Sequence, residues 1–134
     1  MEPNYYQHLL LGIQAVREKN IFLAHQYFDE ILERHPTHSD TLFNKGVAYQ
    51  VNGDALNAII TYTKALESNP SDLRIRLNLA AMNQWRNNLT EAIEHYRVGL
   101  EISKANNLDI RLKFQGNLGS AYYQAGRVHE VSLS

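Results

Sequence analysis

The sequence predicts an all-α chain built of repeated antiparallel helix pairs, and three registers carry that prediction. Gly12, Gly46 and Ala80 stand 34 residues apart, as do Ala24, Ala58 and Ala92, and as do Phe28, Tyr62 and Tyr96. Pro36 and Pro70 follow at the same period, each eight residues after an aromatic. A fixed period of a few tens of residues marks a stack of like supersecondary units, because one unit alone cannot bury its apolar face.

Composition narrows the class. Lys and Arg number 13 and Asp and Glu 14, for a net charge of −1, and 44% of residues are hydrophobic. A core is available, but there is no basic excess to neutralise phosphates, so the chain is read as no nucleic-acid binder. Nor is it a polybasic membrane-surface protein. With no cysteine, a disulfide scaffold, a thiol nucleophile and a cysteine zinc site are excluded. No run approaches the roughly 18 uninterrupted apolar residues of a membrane span. The start, MEPNYYQHLLLGIQAV, lacks a basic residue ahead of its apolar run and a small-residue cleavage site, so it does not read as a signal peptide. A cytoplasmic protein with no cofactor is the expectation.

Taken in order, the first unit covers about 5–38. Its opening helix carries Tyr5, Tyr6, Leu9, Leu10, Leu11, Ile13 and Val16, apolar on more than one face where a surface helix keeps a polar side. Either a partner or second copy meets that face, or an arm of the chain buries it. The second unit, 39–72, predicts helices over Ser39–Val51 and Ala55–Ser68. Gly53 between them can take the left-handed conformation that ends a helix, and Asp54 can cap the next. Asn69-Pro70 stops the second helix, since the residue before proline is pushed out of the α region. The third unit, 73–111, ends in Lys104 where proline is expected. From Ala80 to Gly119 is 39 residues, five beyond the period, which predicts a second helix about one turn longer. A partial fourth unit, 112–134, has its small residue at Gly119. Its first helix is expected over Arg111–Gln124, leaving Leu118, Ala121 and Tyr122 partly exposed, with a turn at Gly126-Arg127 and two turns of a further helix in VHEVSLS. Three readings stand for this end: a fragment of a longer array, self-association, or a tail that covers the face.

These small, alanine, aromatic and proline positions resemble those of the tetratricopeptide-repeat family. The resemblance covers nearly the whole chain and is closest in the second unit. The family's early aromatic is replaced by His8, Leu42 and Arg76, and the longer third unit resembles the kinesin light chain class. The resemblance implies one domain over 1–134, a right-handed α-solenoid, with the first helices lining a concave groove that takes an extended peptide or a helix.

Groove positions recur once per unit. Asn44, Asn78 and Asn117 form a column two residues before the small residue, broken by Leu10. An amide both donates and accepts, so such a ladder can hold a peptide backbone; it can equally bond neighbouring helices. The repeats of O-linked N-acetylglucosamine transferase and kinesin light chain resemble this column. Gln50 and Gln84 form a second column. Trp85, which follows Gln84, is either an exposed anchor or a core residue. Arg74 and Lys113 share a third column suited to an acidic ligand. The carboxylate clamp of chaperone-binding repeats is not reproduced: Asn44 matches it, Arg74 takes a lysine's place, and Leu9, Ile13 and Asn78 occupy the rest. His35, His38 and Asp40 lie in a turn between units and are not read as a metal site. No catalytic motif is present.

The function implied is a protein-interaction scaffold rather than an enzyme. Two alternatives come from other classes: a chaperone resembling those of type III secretion translocators, with a hydrophobic client, or the targeting arm of a larger enzyme. A homo-oligomer would form through the N-terminal helix or the incomplete last unit.

Overall fold

In the computed structural model, residues 3–103 and 107–133 are described, with side chains for 4–103 and 107–127. The described residues form seven helices: α1 (Pro3–Arg17), α2 (Ile21–Arg34), α3 (Ser39–Val51), α4 (Ala55–Ser68), α5 (Leu73–Trp85), α6 (Leu89–Ser103) and α7 (Leu108–Leu133). The two helices of the second unit have the predicted bounds.

One turn closes three successive pairs. Lys19, Gly53 and Asn87, again 34 residues apart, hold φ of 61°, 77° and 64°. Each ends its helix with the paired bonds of a Schellman motif. The Asp54 N–H donates to the Tyr49 carbonyl at 2.9 Å, and the Gly53 N–H to that of Gln50 at 3.0 Å. Asn20 and Lys19 bond Ala15 and Val16 likewise, as Asn88 and Asn87 bond Asn83 and Gln84. The residue that follows caps the next helix: Asn20 accepts the Leu23 N–H at 3.4 Å and Asp54 the Asn57 N–H at 3.1 Å. The Asn57 side-chain amide, 2.7 Å from the second Asp54 oxygen, and its backbone N–H hold that carboxyl below its usual value.

The chain forms two compact units, Met1–Pro70 and Ser71–Ser134. In the first, α1 packs on α2, α2 on α3 and α3 on α4, with α1 also reaching α3. Leu9, Ala15, Ala24, Phe28, Ile31 and Ala48 form one buried cluster. The periodic small residues explain themselves here. A Cβ on Gly12 would overlap the Phe28 ring, and one on Gly46 the Tyr62 ring. Each glycine is the notch that lets a fully buried ring lie between paired helices, where burial contributes roughly 1.5–3 kcal/mol.

In the second unit α5 packs on α6 and α6 on α7, with α7 also touching α5. Ala80, Ala92, Tyr96, Phe114 and Ala121 are its buried cluster. Phe114 sits in a notch at Gly99, where a Cβ would overlap the ring, with Tyr96 edge-on at 6.4 Å. This pair escaped the 34-residue register because the five extra residues shift α7 against it.

Three expectations need correction. The turn at Gly126-Arg127 does not form; α7 runs unbroken to Leu133. Gly126 occupies the turn position of Gly53, but Arg127 follows where Asn20, Asp54 and Asn88 stand, and it has no short side-chain oxygen to cap a new helix. Ala121 is fully buried, not exposed, because Phe114, Leu118 and Ala121 form the inner stripe of α7. The longer second helix is seen only in part: α6 has 15 residues against 14 in α2 and α4. The remaining insertion, with Lys104, lies outside the described residues, as do the side chains of the VHEVSLS segment.

Candidate peptide-binding face

The first helix of each pair offers one face at the spacing i, i+4, i+7, i+11, which a 3.6-residue turn brings into line. On α5 this face is Arg74, Asn78, Ala81 and Trp85; on α7 it is Lys113, Asn117, Ser120 and Gln124. In the first unit α1 presents Tyr6, Leu10, Ile13 and Arg17, and α3 presents Asp40, Asn44, Val47 and Val51.

In the second unit Gln84 ties these faces together. Its Oε1 accepts the Tyr96 hydroxyl at 2.8 Å. Its Nε2 donates to Ser120 Oγ at 3.2 Å and to Gln124 Oε1 at 3.1 Å. The Gln124 amide continues to Asn87 Oδ1 at 3.3 Å. Burial pushes the Tyr96 phenol up to about 12, so it remains a donor. Ala81, Gln84, Trp85 and Gln124 line an open depression of about 430 Å³. Trp85 is 77% exposed, which removes the core alternative. The indole stands on a chain of satisfied amides.

The other predicted residues are placed as follows. Asn78 and Asn117 are half-buried, on α5 and α7. Asn44, in the first unit, is half-buried and donates to the Asp40 carbonyl one turn back at 2.8 Å. Gln50 accepts the Tyr62 hydroxyl at 2.7 Å, so both glutamines of the column brace a tyrosine of the paired helix. Arg74 is drawn onto the α5 cap: its Nε and Nη2 lie 3.2 and 2.8 Å from Asp72. Burial pushes the Asp72 carboxyl up, but the hydrogen bonds and charge of Arg74 outweigh it, and the net direction is down. Lys113 is exposed. On α1, Tyr6, Leu10 and Leu11 are exposed at 58, 50 and 47%, so none of the described residues covers that apolar side.

Two roles were missed by sequence reasoning. His38 caps α3, its Nδ1 accepting the Thr41 N–H at 3.4 Å and lying 2.7 Å from Thr41 Oγ1. His35 ends α2 and meets the Tyr5 ring edge-on at 5.5 Å. Among the described residues, no group of His, Cys, Asp or Glu has the geometry to hold a metal ion. Among them too, no helix is long and apolar enough to cross a membrane.

Helix pairs in a 34-residue register, closed by one kind of turn and exposing amides and an indole on their first helices, define a helical-repeat protein. Residues 27–59 match the family model described as tetratricopeptide repeat. Over 93 residues it is 29% identical to the Photosystem I assembly protein Ycf3 of Prochlorococcus marinus (strain NATL2A), a match over 67% of this chain. The chain spans about half of that protein, 54% of its length. Among solved structures, the type III secretion chaperone SycD of Yersinia enterocolitica, in complex with a peptide of the translocator YopD, superposes with a TM-score of 0.85 at 15% identity, covering 93% of this chain and 97% of that one. The Sgt2 TPR domain of Aspergillus fumigatus gives 0.85 at 18% identity, covering 96% and 83%. These likenesses establish the fold: an all-α solenoid of helix pairs.

Proposed function

We propose that this chain is a protein-interaction scaffold that holds an extended peptide or a helix on its first-helix faces. The observation that carries the reading is Trp85. A tryptophan exposed over three-quarters of its surface is unusual in a chain with a sufficient core, and aromatic side chains dominate binding hot spots. The asparagine amides on the same helix faces, Asn78 and Asn117, are of a type that suits a peptide backbone. The Yersinia chaperone, similar in fold, was solved with a peptide of its translocator, which supports the reading.

The test uses the single tryptophan as its own reporter. Partners are captured from native lysate with the wild-type chain, the Asn44/Asn78/Asn117→Ala variant and Trp85→Ala, each checked for helicity. A captured partner is then titrated against the wild type while indole emission is followed. Loss of the partner in the folded variants, with a blue shift on binding, supports the reading. Equal capture by all three chains sinks it.

A second reading, a chaperone for a hydrophobic client, is favoured by the uncovered Tyr6, Leu10 and Leu11 of α1. It predicts that Leu10→Ser/Leu11→Ser loses the client while Trp85→Ala keeps it.

A further inference from the structure

The side of α7 turned away from α5 and α6 belongs to neither of these faces. Leu108, Leu112 and Tyr123 are 68, 54 and 69% exposed there. Between them lie Gly116 and Gly119, where an added Cβ would meet nothing within 4 Å. Elsewhere a glycine facing a ring is how this fold brings helices together: Gly12 with Phe28, Gly46 with Tyr62, Gly99 with Phe114. Here the notch is open.

Charge indicates what fills it. Asp109 and Arg127, both exposed, bracket this face. They are 18 residues apart, which is five turns, so they lie on the same side about 27 Å from one another. A copy of α7 laid parallel in register would set Asp against Asp and Arg against Arg. A copy laid antiparallel, turned about a twofold axis near residue 118, sets each Asp109 against the partner's Arg127, twice over. The same axis places Gly116 and Gly119 at the crossing, where the backbones must approach, and lays Leu112 beside the Tyr123 of the other copy. A twofold contact needs a self-complementary patch, and this face is one in shape and in charge.

We infer that α7 is a homodimer interface, pairing antiparallel with the α7 of a second copy through Leu112, Gly116, Gly119 and Tyr123, with Asp109–Arg127 pairs at both ends. The occupant is a second copy of this chain.

Sedimentation velocity over a wide concentration range, at low and high salt, tests this on the whole chain. The wild type is expected to pass from monomer to dimer. Gly119→Gln puts bulk at the crossing while its Cβ meets open space in the monomer; circular dichroism is expected to be unchanged and association to weaken by roughly tenfold or more. Asp109→Arg and Arg127→Asp, each alone, are expected to weaken the dimer by creating two like-charge contacts. The double exchange is expected to restore it, and the effect to shrink in salt that screens exposed pairs. A wild type monomeric throughout overturns the inference. So does a dimer indifferent to Gly119→Gln, or one that the double exchange fails to rescue.

Discussion

The Tyr96 hydroxyl donates to Gln84 Oε1 at 2.8 Å, and the same amide reaches α7 through Ser120 and Gln124. At the equivalent pair the Tyr62 hydroxyl donates to Gln50 Oε1 at 2.7 Å. Removing a buried hydroxyl is therefore expected to cost about 0.5–1.5 kcal/mol at either site. Gln84→Ala is expected to cost more than Gln50→Ala, because it also frees the α5–α7 contact. Urea denaturation of the four single variants measures this; equal costs for the two glutamines would contradict it.

The glycines divide by what a side chain would meet. Gly46→Ala drives a methyl into the Tyr62 ring, and overpacking of this kind costs typically 1–3 kcal/mol. Gly126 lies in α7 with nothing within 4 Å of an added Cβ. There alanine is expected to stabilise by up to about 1 kcal/mol through helix propensity alone. The two denaturation midpoints should move in opposite directions.

The three left-handed turn positions carry lysine, glycine and asparagine. A branched-Cβ penalty does not apply to Lys19, but its Cβ still crowds the backbone at φ 61°, at a cost of roughly 1 kcal/mol that glycine avoids. Lys19→Gly is expected to raise the melting temperature. Asn87→Gly should raise it less, since asparagine tolerates this region better and the change removes the acceptor of the Gln124 amide. The reverse change, Gly53→Ala, should lower it.

Two histidines predict the response to acid. His25 lies with its ring centroid 4.5 Å from that of Tyr49. Burial first, and then the Lys45 charge, lower its pKa, against a weaker opposite pull from Asp29. His95, with Nδ1 3.2 Å from the Arg76 guanidinium, is lowered by burial and then by Arg76, against Glu91 and Glu94. Both are harder to protonate in the folded state than in the unfolded chain. The unfolded chain therefore binds more protons as pH falls below about 6.5, so stability rises with pH through this range. It is fully present above the unfolded histidine value and lost as pH falls through the folded ones. His25→Gln/His95→Gln is expected to flatten the dependence of unfolding free energy on pH between neutrality and mild acid. An unchanged slope would remove these two groups as its source.

Much of this protein was legible in its sequence because its information is local and repeated. The 34-residue register, the bounds Ser39–Val51 and Ala55–Ser68, the left-handed Gly53 and the Asp54 cap all follow from residues within a turn of one another. The buried column of Ala24, Ala58 and Ala92 follows from the same register. What tertiary structure decided involves residues far apart in the chain, or a choice between partners. Gln84 reads as a free groove amide until Tyr96, Ser120 and Gln124 are brought to it from two other helices. Arg74 reads as a free cation until Asp72 proves to be both helix cap and counter-ion. Trp85 is an anchor or a core residue by composition alone, and only the packing of its neighbours leaves it outside. Gly126 occupies a turn position by register, yet α7 continues through it to Leu133. Local propensity determines where helices start and stop, while the destination of each polar side chain depends on which helices pack together.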